Sequence, residues 1–437
     1  MNAPTSPSKP SELPPRDLIA YRWELVFWLW LAFFFNQADR QVFSTVLPLI
    51  KADLQLSDVQ SGWIATIFTA ALALTVPIAG YVGDVFNRAR IISWSLFGWS
   101  LSTLLSGFGT SFGYLIGIRS LATGAGEAFY APAANALIAE HHHETRGRAM
   151  AIHQTSLYVG VIASGLIAGW IGDHYGWRTA FWLFGGFGLV LAGLTAWRLK
   201  SSGTTSQREH RAAPQLRDVL TVLGRPTVLL LVAAWACMVF VNIAYLTWMP
   251  TYLHEQFSLT LTHAGFSSMA YHHLGALVGV ILGGLVADQL AVRNPASRLQ
   301  LQGLALIFGA PFLWMLGVQS GLGLLFAALT GFGFFRGIYD AGIYASLFEV
   351  IEPRLRASVI GLIIAIVYLF GALAPVLLGW MKGSVGLSLC FSSLGAVYVV
   401  GGSAALVAAK WPFECDHQLS IDGKCPAEDR VDVKEVR

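Results

Sequence analysis

The sequence predicts an all-α membrane protein of twelve transmembrane helices in two pseudo-symmetric six-helix bundles, and three observations predict it. Of 437 residues, 55% are hydrophobic and only 12% charged, about half the charge of an ordinary soluble domain. So little polar surface cannot cover a fold of this length in water, which makes lipid the main solvent. Apolar runs long enough to cross a bilayer recur on either side of a polar stretch, and a short motif returns at the same place in each half.

Each element follows from the ~20 apolar residues that a crossing needs. The first half reads as spans at Glu24–Leu49, Ser57–Val82, Ile91–Gly109, Phe112–Ala133, Met150–Ile171 and Thr179–Ala196. Lys200 to Asp218, rich in Ser, Thr, Gln, Arg and His, interrupts the pattern. It resumes at Thr227–Met249, Thr262–Leu285, Leu299–Leu316, Leu322–Phe348, Ala357–Trp380 and Val385–Ala408. The expected organisation is a disordered cytoplasmic N-terminal tail (1–22), an N-terminal bundle (23–197), a cytoplasmic linker (198–225), a C-terminal bundle (226–410) and a cytoplasmic C-terminal tail (411–437). Residues 1–15 are Pro/Ser-rich with no apolar core, unlike a signal peptide. Four cysteines in a chain this long argue against a disulfide framework.

Lys and Arg placement sets the orientation. With the N-terminus inside, the cytoplasmic segments collect most of the basic residues, and the outer loops hold only Lys51, Arg178 and Lys382. An even number of spans with both termini cytoplasmic satisfies that bias.

Between the second and third spans the chain reads Gly80-x-x-x-Asp84-x-x-x-Arg88-x-Arg90, and between the eighth and ninth Gly284-x-x-x-Asp288, followed by Arg293, 204 residues on. This resembles the loop signature of the major facilitator superfamily, met in full by the first copy and kept in part by the second. The resemblance covers nearly the whole chain and implies two bundles around a central cavity, with alternating access by rocking. Gly80 is expected to let neighbouring helices approach. Asp84 is expected to cap a helix terminus or pair with an arginine across the bundle interface. Arg88 and Arg90 serve either that latch or the topology.

Charges inside spans are costly unless paired or in a watery cavity. The first span carries Asn36, Asp39 and Arg40, and Asn36 and Arg40 share a helix face. The fourth carries Arg119, Glu127 and Tyr130, with Arg119 and Glu127 about 12 Å apart along the axis and needing different partners. The tenth carries Arg336, Tyr339 and Asp340, where Arg336 and Asp340 form either a structural pair or part of a site. Carboxyls set inside a bundle mark proton relays, so Asp39 and Glu127 are candidate proton carriers. Arginine stays charged there and presents a fork suited to carboxylate or phosphate. Asn242, Tyr245 and Trp248 lie on one face of the seventh span. His153, Gln154, Tyr158, His272 and His273 are further cavity candidates. His141-His142-His143 reads as a solvated loop and not a metal site.

Asn36-x-x-Asp39-Arg40-Gln41 and the fourth-span Arg119…Gly124-x-Gly126-Glu127-Ala-x-Tyr130-x-Pro132 resemble two branches of that superfamily. These are the anion:cation symporters, which take up sugar acids and other organic anions with protons, and the Spinster-like transporters of sphingolipids and lysolipids. The resemblance implies proton coupling and substrate binding by Asp39, Arg40, Arg119 and Glu127. Arg119 precedes Glu127 by eight residues where the related pattern has seven, which turns it by about 100° on an ideal helix. Drug:proton antiporters of the superfamily typically show a glycine-rich fifth-span motif containing Gly-Pro; the fifth span here has the glycines without the proline, and the resemblance thus implies symport over antiport.

No phosphate-cradling Gly-x-x-x-x-Gly-Lys-Ser/Thr, zinc-ligand spacing or nucleophile elbow is present, so the chain is expected to be no enzyme and to need no cofactor beyond an ion gradient. The expectation is an inner-membrane, monomeric symporter of a small organic anion, with lipid as its surroundings and no nucleic-acid partner. Arg40, Arg119, Asn36, Tyr130, Asn242, Tyr245, Arg336, Tyr339 and Asp340 would bind the solute. The rivals are Spinster-like handling of an amphiphile and a membrane sensor that binds solute without moving it.

Overall fold

A computed structural model describes residues 16–142, 144–199, 215–292, 294–318 and 321–422. Among these, the long helices are α1 (Arg16–Asp53), α2 (Asp58–Val85), α3 (Arg88–Ser106), α4 (112–141), α5 (146–175), α6 (177–198), α7 (Pro226–Phe257), α8 (Leu261–Ala291), α9 (Ser297–Val318), α10 (Leu322–Val350), α11 (356–385) and α12 (387–410). Arg293, residues 1–15 and 200–214, the last fifteen residues and the side chain of Asp84 lie outside the described set.

The repeat is visible in the turns as well as in the motif. Left-handed backbone occurs among the described residues at Gln55 (φ 49°) and Ser258 (φ 52°), 203 residues apart in the α1–α2 and α7–α8 turns. It recurs at Gly176 (φ 80°) and Gly386 (φ 76°), 210 apart where α5 turns into α6 and α11 into α12. The latter two are conformations that glycine adopts without steric cost. Two residues after each of the first pair comes an N-cap. Ser57 accepts the Gln60 amide and Thr260 accepts the His263 amide, which satisfies orphan donors of α2 and α8.

Among the described residues, seven helical stretches are long and apolar enough to cross a bilayer by composition, and two of them, Arg146–Arg198 and Arg356–Lys410, hold a helix pair each. The helices outside that set are α1, α3 and α4. Polar side chains pull their hydropathy down: Asn36, Gln37, Asp39, Arg40 and Gln41 in α1, a Ser/Thr-rich run in α3, and Arg119 and Glu127 in α4. All of Asn36, Gln37, Asp39, Gln41, Arg119 and Glu127 are buried in protein, which is how a polar helix is tolerated at membrane depth.

One expectation about the ends of the bundles changes. α1 begins at Arg16, ahead of the expected end of the N-terminal tail. Prolines 14 and 15 precede it and neither Gly nor Pro interrupts its first turns. The linker contains a helix, Leu216–Leu223. The C-terminal tail also begins with a helix, Phe413–Asp422, whose polar residues cap neighbours: Asp416 Oδ2 accepts the Thr227 amide at the start of α7 (2.8 Å), and Ser420 donates to the Glu349 carbonyl at the end of α10 (2.8 Å). Cys415 is disulfide-bonded, while Cys237 and Cys390 are free thiols.

α5 packs against α8, and α2 against α11, where the two halves meet. Both contacts rest on glycine. A Cβ on Gly165 would strike the Gly265 carbonyl, and one on Gly379 the Asp58 carbonyl, so these positions let backbones touch. Polar bonds sit beyond them. Asp173, at the end of α5, accepts the amides of Leu261 (2.9 Å) and Thr262 (2.8 Å) at the start of α8. Lys382, at the end of α11, pairs with Asp58 (3.0 Å) at the start of α2. The two contacts are mates under the internal pseudo-symmetry.

Candidate functional site

Between the halves lies a cavity of about 180 Å³. On each helix that both lines it and carries one of the inter-half contacts above, the lining residues fall on the side of the chain termini. In α5 the cavity is lined at 157 and 161 and the halves touch at 165 and 173. In α8 it is lined at 273 and they touch at 261 and 265. In α11 it is lined at 368 and they touch at 379 and 382. The cavity is therefore closed toward the end opposite the termini.

α1 presents Gln37, Arg40, Gln41 and Ser44 to it, α4 Arg119, α7 Asn242 and Thr247, and α10 Arg336. Arg40, Arg119, Asn242 and Arg336 are thus brought together from both halves. Arg40 Nε donates to Glu127 Oε2 at 2.6 Å; the Glu127 side chain is fully enclosed while that of Arg40 keeps 25% exposure. Asn36 Oδ1 supports Arg40 Nη2 at 3.4 Å and accepts from Gln37 at 3.0 Å. Glu127 is one side chain removed from the cavity, reached through the arginine.

Asp39 points the other way. It is fully buried, accepts from Thr103 of α3 at 3.2 Å and makes no ion pair with Arg40. Arg119 Nη2 donates to the Asp39 carbonyl at 2.9 Å, and its guanidinium stacks 4.7 Å from the Phe68 ring centroid. Its Nε and Nη1 have no hydrogen-bond partner among the described residues, so two donors of a buried cation remain for a ligand. Asn242 Oδ1 and Arg336 Nε are also without a partner there.

The expected 100° turn of Arg119 away from the site does not occur. Residues Ile116–Ala122 form a π-helix with Arg119 inside it. A π-bulge adds one residue to a turn and is frequent at functional sites. It takes up the extra residue between Arg119 and Glu127, and both face α1.

Across the cavity, Arg336 pairs with Asp340 at 3.3 Å and contacts His272 Nε2 at 3.0 Å. Tyr130, Tyr245 and Tyr339 do not line the cavity. Tyr130 donates to the Leu29 carbonyl (2.6 Å) and meets His153 (3.0 Å); Tyr245 donates to the Ser268 carbonyl; Tyr339 is buried, with its carbonyl accepting from Gln302 (3.3 Å). Their hydroxyls or backbones are used within a bundle, which three-residue spacing alone does not reveal. Gln37, Thr69, Thr247 and Tyr368 also line the cavity; uncharged polar residues at helical spacing carry no distinctive signal in sequence.

The loop motif behaves differently from its expected latch in this conformation. A Cβ on Gly80 or Gly284 would meet nothing within 4 Å, so neither glycine sits at a close approach. Arg88 pairs with Glu140 at the end of α4, inside its own half. Asp288 pairs with Arg298 (3.0 Å), which also holds Glu349 (2.6 Å), again within one half. Arg90 donates its amide to Asn87, the N-cap of α3. Among the described residues no group of three or more His, Cys, Asp or Glu is placed to hold a metal.

Comparison with known proteins agrees with this architecture. The chain is 23% identical to "Probable galactarate/D-glucarate transporter GudP" of Escherichia coli (strain K12), covering 89% of this chain and 92% of that protein. It is 26% identical to the cis,cis-muconate transport protein of Acinetobacter baylyi, over 88% and 93%. A solved bacterial homologue of the human lysosomal transporter Spinster, in an inward-facing and unoccupied conformation, superposes with a TM-score of 0.73 at 21% identity, over 92% of this chain and 98% of that one. The sequence profile of the Major Facilitator Superfamily matches residues 29–375, so this chain belongs to that superfamily and is a multi-pass membrane transporter rather than an enzyme.

Proposed function

We propose that the protein is a proton-coupled symporter of a small organic anion, a sugar acid or other carboxylate, working by alternating access in the inner membrane. The observation that carries this reading is the Arg40–Glu127 pair on one wall of the cavity, with Arg336 on the opposite wall. A proton on Glu127 removes the charge that holds Arg40 and frees its fork for a substrate carboxylate. Arg119 supplies two further donors from the same wall. Arg336 engages the anion from the other half, and a ligand bridging both halves favours their closure around it.

On this reading the bundles 23–197 and 226–410 rock as bodies. Both termini are cytoplasmic, so the closed end is the outer one and the conformation is inward-facing. The monomer is the working unit. Gly80 and Gly284 acquire neighbours when the inner ends close.

A second reading, an amphiphile with a lipid tail, draws support from the Spinster-like fold. The cavity volume weighs against it: 180 Å³ is below the roughly 300–1,000 Å³ of pockets that hold drug-sized ligands. Purified protein in liposomes with an imposed pH gradient separates the readings. D-glucarate accumulates under symport and a lysolipid does not. Binding without accumulation of either identifies a sensor and overturns the proposal.

A further inference from the structure

Arg336 holds both a carboxylate, Asp340, and an imidazole, His272, within the C-terminal half. Guanidinium is only a donor and stays charged. Its contact with His272 Nε2 (3.0 Å) therefore requires a lone pair on that nitrogen, and the ring is neutral with its proton on Nδ1. His272 is fully buried, and Nδ1 has no partner among the described residues. The ring packs in one cluster with Tyr245 (4.6 Å between centroids) and Phe332 (4.5 Å), which also touch each other (5.3 Å). A proton on Nε2 would set two positive charges about 3 Å apart inside protein, so His272 cannot be charged while Arg336 stays in place.

Resting on the symport reading, we infer that His272 is a second proton site whose availability is set by Arg336: it accepts a proton on Nε2 when a substrate carboxylate draws the guanidinium away. The N–H bond is the one covalent bond formed; the hydrogen bond from Arg336 to His272 and the ion pair of Arg336 with Asp340 part as the guanidinium leaves, and the proton comes from the water of the cavity. The groups around His272 make the exchange favourable. Asp340 of α10, released by the same movement, attracts the imidazolium. Tyr245 of α7 has its hydroxyl hydrogen committed to the Ser268 carbonyl. His273, 4.9 Å away by ring centroids, has Nδ1 on the Met269 carbonyl at 2.8 Å, and Tyr158 of α5 faces it from the other half. Tyr398 of α12 reaches the cluster through Phe332. His273 lines the cavity, but among the described residues no guanidinium hydrogen-bonds its ring, so it lacks this gate.

Histidine-labelled full-length protein in detergent micelles tests the gate without a substrate, by counting the imidazoles whose ring signals titrate between pH 5 and 8. The expected result is one more titrating imidazole in Arg336→Met, and in the charge-neutral pair Arg336→Gln with Asp340→Asn, than in the native protein. The extra signal disappears when His272→Gln is added. A His272 signal that already titrates with Arg336 present overturns the inference, as does one that stays silent in both variants.

In liposomes each coupled proton multiplies the accumulation limit about tenfold per pH unit. His272→Gln is therefore expected to lower gradient-driven accumulation tenfold at one unit. Unchanged accumulation overturns the coupling role even if the gate is seen. Failure of the native protein to move any organic anion sinks the symport reading and leaves the titration count standing.

Discussion

Glu127 shows what a single side chain decides. Enclosed, its carboxylate is ion-paired with Arg40 alone among the described residues. Breaking a buried pair by deleting one partner costs about 3–5 kcal/mol, because the other charge is left alone. Arg40→Ala is therefore expected to lower the melting temperature of the detergent-purified protein clearly, and adding Glu127→Gln to recover most of the loss. If the double variant melts no higher than the single, the pair is not what holds this wall. Glu127→Gln alone is expected to reduce pH-gradient-driven uptake at least tenfold while exchange of labelled for unlabelled anion continues. Persistence of gradient-driven uptake would remove Glu127 from coupling. The residue types were legible in the motif, and so was the shared face of Asn36 and Arg40. That Asp39 turns to Thr103 while Arg40 turns to Glu127 was not, since neighbours on a helix point about 100° apart and only the packing of α3 and α4 says which way is in.

The helix α4 shows what a single element decides. Its eight-residue interval from Arg119 to Glu127 would misdirect one of them on a regular helix. The π-helix at Ile116–Ala122 absorbs the difference. Removing Leu121, which is half exposed, shortens the interval to seven and is expected to let α4 return to a regular ladder with anion uptake kept within about threefold. Inserting one alanine there instead turns Arg119 by about 100° and is expected to cut uptake at least tenfold. Equal uptake in the two variants would show that the direction of Arg119 is immaterial. Sequence could reveal the odd spacing but not its remedy, because a π-turn has no composition of its own and is stabilised by what Arg119 meets, the Asp39 carbonyl and the Phe68 ring.

At the scale of the whole molecule, closure at the end opposite the termini rests on two pseudo-symmetric contacts, Asp173 with the start of α8 and Lys382 with Asp58. Both must part if the cavity is to open on that side. A disulfide between Asp173→Cys and Thr262→Cys, whose native side chains bond at 2.6 Å, is expected to stop uptake at least tenfold and to release it on reduction. Transport that continues in the oxidised protein would rule out movement at this seam.

Composition and periodicity by themselves determined that this chain lives in lipid, that it crosses many times, that it repeats, and that arginines and carboxyls belong to its interior. Those conclusions rest on local physics: a long apolar run has nowhere else to go, and a buried charge needs company. Tertiary structure decided which charges meet, that the tyrosines of α4, α7 and α10 serve their own bundles, that the loop-motif glycines stand free in this conformation, and at which end the halves touch. These depend on residues far apart in sequence, and one chain satisfies the same local rules with its bundles tilted either way.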